Sequence, residues 1–173
     1  MSGTVDRGSD SPAEQRLDLG VSAQCDTARM ATTSNWGITP RQSVERECRD
    51  RGASAVIDGC IDLLGGDTGT DHTLIYALGG PPARWAVTGG EGGPDYWLRV
   101  WGARGLLWAW DDRATPAVKK ALDDPAWRVR EMAARHQLED LLGSLERIRD
   151  NDLNRRVAAA ADRAIALIVV ADT

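Results

Sequence analysis

Asp124-Pro125-Ala126-Trp127-Arg128-Val129-Arg130-Glu131-Met132-Ala133-Ala134-Arg135 lines up with Asp152-Leu153-Asn154-Arg155-Arg156-Val157-Ala158-Ala159-Ala160-Ala161-Asp162-Arg163. The shared frame is Asp, three residues, Arg-Val, two residues, then small residues and a second Arg. Upstream, Tyr96-Trp97-Leu98-Arg99-Val100-Trp101-Gly102-Ala103-Arg104 fits the same frame, with Leu98 in the place of Val129. Copies about thirty residues apart are too short to fold alone, and self-similarity at that period is the mark of stacked helical units. The frame therefore predicts an all-α chain arranged as a short α-solenoid of about three to four helical pairs.

Each part of the frame has a physical role. Asp124 and Asp152 can cap the helices that follow, offering a carboxylate to free backbone N–H groups at the positive helix end. Pro125 suits a first helical turn, which needs no N–H there. Val157, Ala161, Ala164 and Ile168 recur at helical spacing and predict one apolar stripe on the last helix.

The frame resembles the HEAT repeat, in particular the short HEAT-like repeats of the phycobilisome-lyase type. The match is good at Asp124–Arg135 and Asp152–Ala164, looser at Tyr96–Asp112 and faint before Leu64. The resemblance implies an architecture and no particular activity, because that family ranges from scaffolds to a few enzymes.

Composition narrows the classes. The chain has 173 residues and a formal net charge of −5. That charge argues against general affinity for nucleic acid or an anionic membrane. Its distribution is uneven, at −2 over residues 1–35, −4 over 36–95 and +1 over 96–173. Cys25, Cys48 and Cys60 lack the close spacing of a zinc site, so Cys48 and Cys60 are expected as small apolar groups on helices. No apolar run reaches the eighteen or so residues that span a bilayer, and no secretory core opens the chain. A cytoplasmic protein without a cofactor is the expectation.

Residues 1–35, rich in Ser, Gly, Asp and Thr, are expected as a disordered tail, with a HEAT-like domain over 36–173. Within it the punctuation predicts helices from Pro40 to about Arg51, Ala53–Leu64, a short segment capped by Asp71, Ala83–Val87, Asp95–Asp111, Pro116–Asp123, Ala126–Leu138, Glu139–Arg149 and Leu153–Val170. The glycine-rich stretch Thr88–Pro94 lacks the Lys-Ser/Thr of a phosphate loop and is expected as a connection.

Seven Trp accompany two Tyr and no Phe, and four of the Trp crowd the segment Asp95–Asp111. On a helix Trp97, Trp101, Arg104 and Trp108 fall within roughly 60° of one another. Two roles suit that stripe. As inter-helix filler it would be dry, with Arg104 paired to Asp111; as the lining of an inner groove it would bind a partner, since aromatics beside Arg compose many hot spots. Arg104, Arg135 and Arg163 share one repeat position and would form a ladder, either internal or facing an acidic peptide or a phosphate backbone.

The preferred reading is a non-catalytic scaffold that binds a protein or peptide through Trp97, Trp101, Arg104, Trp108 and Arg135. A small molecule in the Trp groove is kept beside it. An enzymatic alternative comes from the resemblance: HEAT-like alkylpurine DNA glycosylases use Trp and Asp in a cleft, and Trp108 and Asp112 would stand one helical turn apart to stabilise a cationic base. His136, which shares a helix face with Val129, Met132 and Ala133, is expected as a core histidine with one hydrogen bond.

Overall fold

In the computed structural model, residues 37–67, 69 and 71–171 are described, and all regular structure among them is helical. The tail expected over residues 1–35 lies outside them. The first helix, α1 (Pro40–Arg51), begins as its sequence predicts. Thr39 and Gln42 cap each other's backbone N–H groups in a capping box, with Pro40 in the first turn. α2 (Ala53–Gly65) ends at Gly66, whose φ of 90° is the left-handed conformation that closes many helices. Asp71 caps α3 (His72–Gly79) by accepting from the Thr73 N–H at 2.7 Å.

The chain then turns through a 3-10 segment, Pro81–Ala83, into the single turn α4 (Trp85–Thr88). After the glycine-rich connection come α5 (Tyr96–Gly105), α6 (Thr115–Ala121), α7 (Trp127–Ala133), α8 (Leu142–Asn151) and α9 (Arg155–Ala171). α5 packs on α2, α3 and α7; α7 packs in turn on α9, and α8 on α9. The core is continuous through these contacts: Val56, Cys60 and Leu63 of α2, Leu74 of α3, Trp101 of α5, Val129 of α7, Leu145 of α8 and Val157 of α9 are all buried. Full burial of each such aliphatic side chain contributes about 1.5–3 kcal/mol.

Two of the aligned positions are buried in all three segments. Leu98, Val129 and Val157, aligned in three copies, are buried, and so are Gly102, Ala133 and Ala161 four residues on. The small residues serve close approach. A Cβ on Gly102 would lie 2.6 Å from the Cys60 carbonyl oxygen and 3.0 Å from the Leu64 nitrogen, so α5 crosses α2 backbone against backbone.

Two expected helices are shorter than their patterns. α5 stops at Gly105 rather than Asp111, because Leu107 and Trp108 bond to carbonyls three residues back and tighten the last turn. Asp111 then takes an extended conformation and caps the 3-10 segment Asp112–Ala114. α7 likewise stops at Ala133 rather than Leu138, with Arg135 and His136 making the same tight bonds. Asp124 and Asp152 also differ from simple caps. Each accepts from the N–H two residues on, Ala126 or Asn154, at 2.8 Å, which bends the chain just before the helix starts.

Candidate functional site

The expected Trp and Arg stripe is divided between core and surface. Trp101 is 4% exposed and wedged where a Cβ on Gly79 would come within 2.9 Å of its ring. It cannot touch a partner. Arg104 is half-buried and donates from Nη2 to the Leu78 carbonyl, with burial lowering its pKa. The expected pair with Asp111 does not form, since that carboxylate caps the Arg113 N–H at 3.0 Å. Trp108 is half-buried against the core in the turn after α5.

Asp112 does not stand one helical turn from Trp108, because the helix has already ended. Its carboxylate is exposed and accepts from Trp110 Nε1 at 3.2 Å. Arg135 is exposed and paired with Glu131 at 3.2 Å. The three arginines of the expected ladder have separate fates: Arg104 meets a carbonyl, Arg135 a carboxylate, and Arg163 is exposed.

The arginines that do recur are five positions earlier in the frame. Arg99 donates Nε to Asp124 at 2.7 Å, and the aligned Arg130 donates Nε to Asp152 at 2.7 Å and Nη2 at 3.1 Å. Each pair ties one helix to the turn that opens the helix two further on. Arg130 holds the Asp152 carboxyl below the usual carboxylate range against the opposing effect of burial. Arg51 and Asp71 make a similar link near the start of the domain.

With Arg99 and Arg130 committed to structure, the aromatic surface lies beside them. Trp97 stacks on Trp101 with ring centroids 6.3 Å apart and touches Tyr96 at 5.3 Å. Arg128 of α7, at the Trp97 position of the next copy, lays its guanidinium 4.4 Å from the Trp127 ring centroid, 5.6 Å from Trp97 and 5.9 Å from Tyr96. Arg156 of α9, at the same position again, lies 5.6 Å from Trp127. Tyr96, Trp97, Trp127 and Arg128 are half-buried, and Arg156 is exposed. The Trp97, Arg128 and Arg156 positions thus form a ledge across α5, α7 and α9.

The ledge is cationic. Glu131 accepts from Arg135 and lies 3.6 Å from Arg156, whereas the Arg128 side chain makes no hydrogen bond or ion pair among the described residues. A guanidinium carries five N–H donors, and none of the buried polar side-chain atoms described here lacks a partner. The donors of Arg128 therefore face water while its plane is held over rings, an arrangement each ring stabilises by about 0.5–1 kcal/mol.

Elsewhere the surface offers less. A cavity of about 380 Å³ at Asp123, Arg130, Arg147 and Asp152 is lined by charges already paired to each other. A second, of about 280 Å³, lies between His72, Trp85, Gly92 and Asp95. His136 is 3% exposed, and its ring bonds the Ala103 carbonyl through Nε2 at 3.0 Å. Cys60 is buried, which pushes its thiol up to about 12. No cluster of His, Cys, Asp and Glu able to hold a metal occurs among the described residues, and none of their helices is long and apolar enough to cross a membrane. Comparison with known proteins returns no match: no family model fits the chain, and no curated protein or solved structure is detectably similar to it.

Proposed function

We propose that this chain is a non-catalytic binding module, a short α-solenoid of HEAT-like units whose recognition surface is the Trp/Arg ledge across α5, α7 and α9. Two features support the stacking: the succession of α5, α7 and α9, each on the next, and the repeated Arg99–Asp124 and Arg130–Asp152 ties. In a solenoid, aligned positions of successive helices make a continuous surface. Here the aligned positions carry Trp97, Arg128 and Arg156.

The observation that carries the binding role is the state of Arg128. A guanidinium fixed over the Trp127 ring, with its donors unspent, has already lost the rotamer freedom that binding would otherwise cost. Rigid aromatics and Arg are also the residues that dominate interface energetics. Trp101 and Arg104 support the ledge from behind instead of contacting the partner.

A phage-displayed peptide library panned on the purified chain tests this reading. The expected result is enrichment of specific peptides that no longer bind Arg128→Glu while helical circular dichroism is unchanged. Failure to enrich any peptide, or equal binding to the variant, would exclude the ledge as a recognition surface.

A further inference from the structure

We infer that the ledge selects an extended acidic segment carrying two carboxylates three residues apart, one for Arg128 and one for Arg156. The inference rests on the binding reading above and names the ligand chemistry of that same surface.

Charge comes first. The guanidinium groups of Arg128, Arg135 and Arg156 outnumber the carboxylate of Glu131 that lies among them, so the complementary ligand is anionic. The choice between a carboxylate chain and a nucleic acid strand follows from the rings. Single strands bind by stacking bases on open aromatic faces. On this ledge Arg128 already lies over Trp127 and Trp97, Arg156 is also close to Trp127, and Trp97 stacks on Trp101. Those contacts occupy ring faces that a base would need, while the Arg128 guanidinium is unpaired and the exposed Arg156 meets Glu131 through Nε alone, at 3.6 Å.

Spacing comes from the repeat. Arg128 and Arg156 occupy one frame position on α7 and α9, which pack against each other, and packed helix axes lie about 8–10 Å apart. The shared ring gives an independent bound: with guanidinium carbons 4.4 Å and 5.6 Å from the Trp127 centroid, the two charges are no more than about 10 Å apart. A polyproline II chain rises about 3.1 Å per residue with three residues per turn, so side chains at i and i+3 share a face about 9 Å apart. An α-helical peptide reaches a similar span only at i and i+7, about 10.5 Å. A β-strand places i and i+3 on opposite faces. A strand also brings i and i+2 onto one face, but only about 7 Å apart, short of the packed-axis spacing, so the three-residue polyproline II repeat is the extended arrangement that comes nearest to both figures.

Composition-matched peptides decide it. Fluorescein-labelled peptides containing Glu-Pro-Pro-Glu or Glu-Glu-Pro-Pro have equal charge and equal proline content, so only the spacing differs. Fluorescence anisotropy at low salt should show the first binding about tenfold more tightly, the scale of one additional charge-assisted contact. Either Arg128→Gln or Arg156→Gln should remove that preference, and the exposed Arg156 guards against a folding defect at Arg128. Equal affinity for the two peptides overturns the spacing while leaving a peptide-binding ledge in place. Tighter binding of a ten-nucleotide oligothymidine than of either peptide, or no binding of either acidic peptide at 1 mM while library-selected peptides still bind in an Arg128-dependent way, overturns the acidic ligand itself.

Discussion

Replacing Gly102 by Ala should destabilise this protein even though alanine is the better helix former. In α5 the exchange would gain about 1 kcal/mol of helix propensity. The new methyl group, however, would stand 2.6 Å from the Cys60 carbonyl oxygen, 3.0 Å from the Leu64 nitrogen and 3.1 Å from the Leu63 Cβ. The first two are backbone atoms of α2 and have no rotamer to move into, so the helices must separate. Overpacking of this kind costs about 1–3 kcal/mol, and more where backbone must shift. The expected net loss is about 2 kcal/mol, or roughly 5–10 °C in Tm for a domain of this size. Gly143→Ala supplies the control: Gly143 is on α8, and a Cβ there meets nothing within 4 Å, so the same exchange should stabilise by up to about 1 kcal/mol. Urea or thermal unfolding of both variants, followed by circular dichroism, reads the difference. If Gly102→Ala matches or exceeds the parent in stability, the close crossing of α2 and α5 is wrong.

Burial holds His136 at a pKa of about 4, against the Ala103 hydrogen bond that would raise it. Between pH 6.5 and 4 the unfolded chain therefore takes up a proton that the folded chain refuses. Stability from this group is complete above pH 6.5, falls by about 3 kcal/mol as pH drops to 4, and is level below that. Urea titrations at pH 7.5 and 5 should show a loss that is about 2 kcal/mol smaller in His136→Gln; equal losses would refute it. Asp152→Ala leaves Arg130 without its bidentate partner and the Asn154 N–H without its acceptor, and should cost about 1–3 kcal/mol. Asp123→Ala breaks the exposed Arg147 pair and should change stability by less than about 1 kcal/mol. Equal effects would show that the inter-unit tie is no stronger than a solvated surface pair.

Much of the helical order was legible in the sequence because its signals are local. Thr39-Pro40, Asp71 and Gly66 each act within one turn of themselves, so reading them needs no knowledge of the fold. The long pattern Asp95–Asp111 misled because apolar periodicity continues past Gly105, whereas the tight turn there depends on bonds that propensity does not encode. The same truncation removed the geometric basis for pairing Trp108 with Asp112. Trp101 and Trp97 could not be separated by pattern either. They lie on one stripe, and what makes Trp101 dry is Gly79, which belongs to another helix.

The arginine ladder shows how an alignment of the chain with itself can point to the wrong residues. Alignment places Arg99 with Arg130 as firmly as it places Arg104 with Arg135, and it places Asp124 with Asp152 as their natural partners. The capping role assigned to those carboxylates hid the second bond each makes. An aspartate before a helix has two oxygens, and here one bends the local chain while both meet an arginine from the preceding unit. That division leaves the neighbouring Arg128 beyond the reach of the structural carboxylates, over rings that fix its plane. The Arg128 guanidinium is thus left unpaired by the same division of carboxylates. A unit that spent its aspartate on Arg128 would lose the tie to Arg130, and with it the spacing of α7 and α9 that sets the distance between the two guanidinium groups.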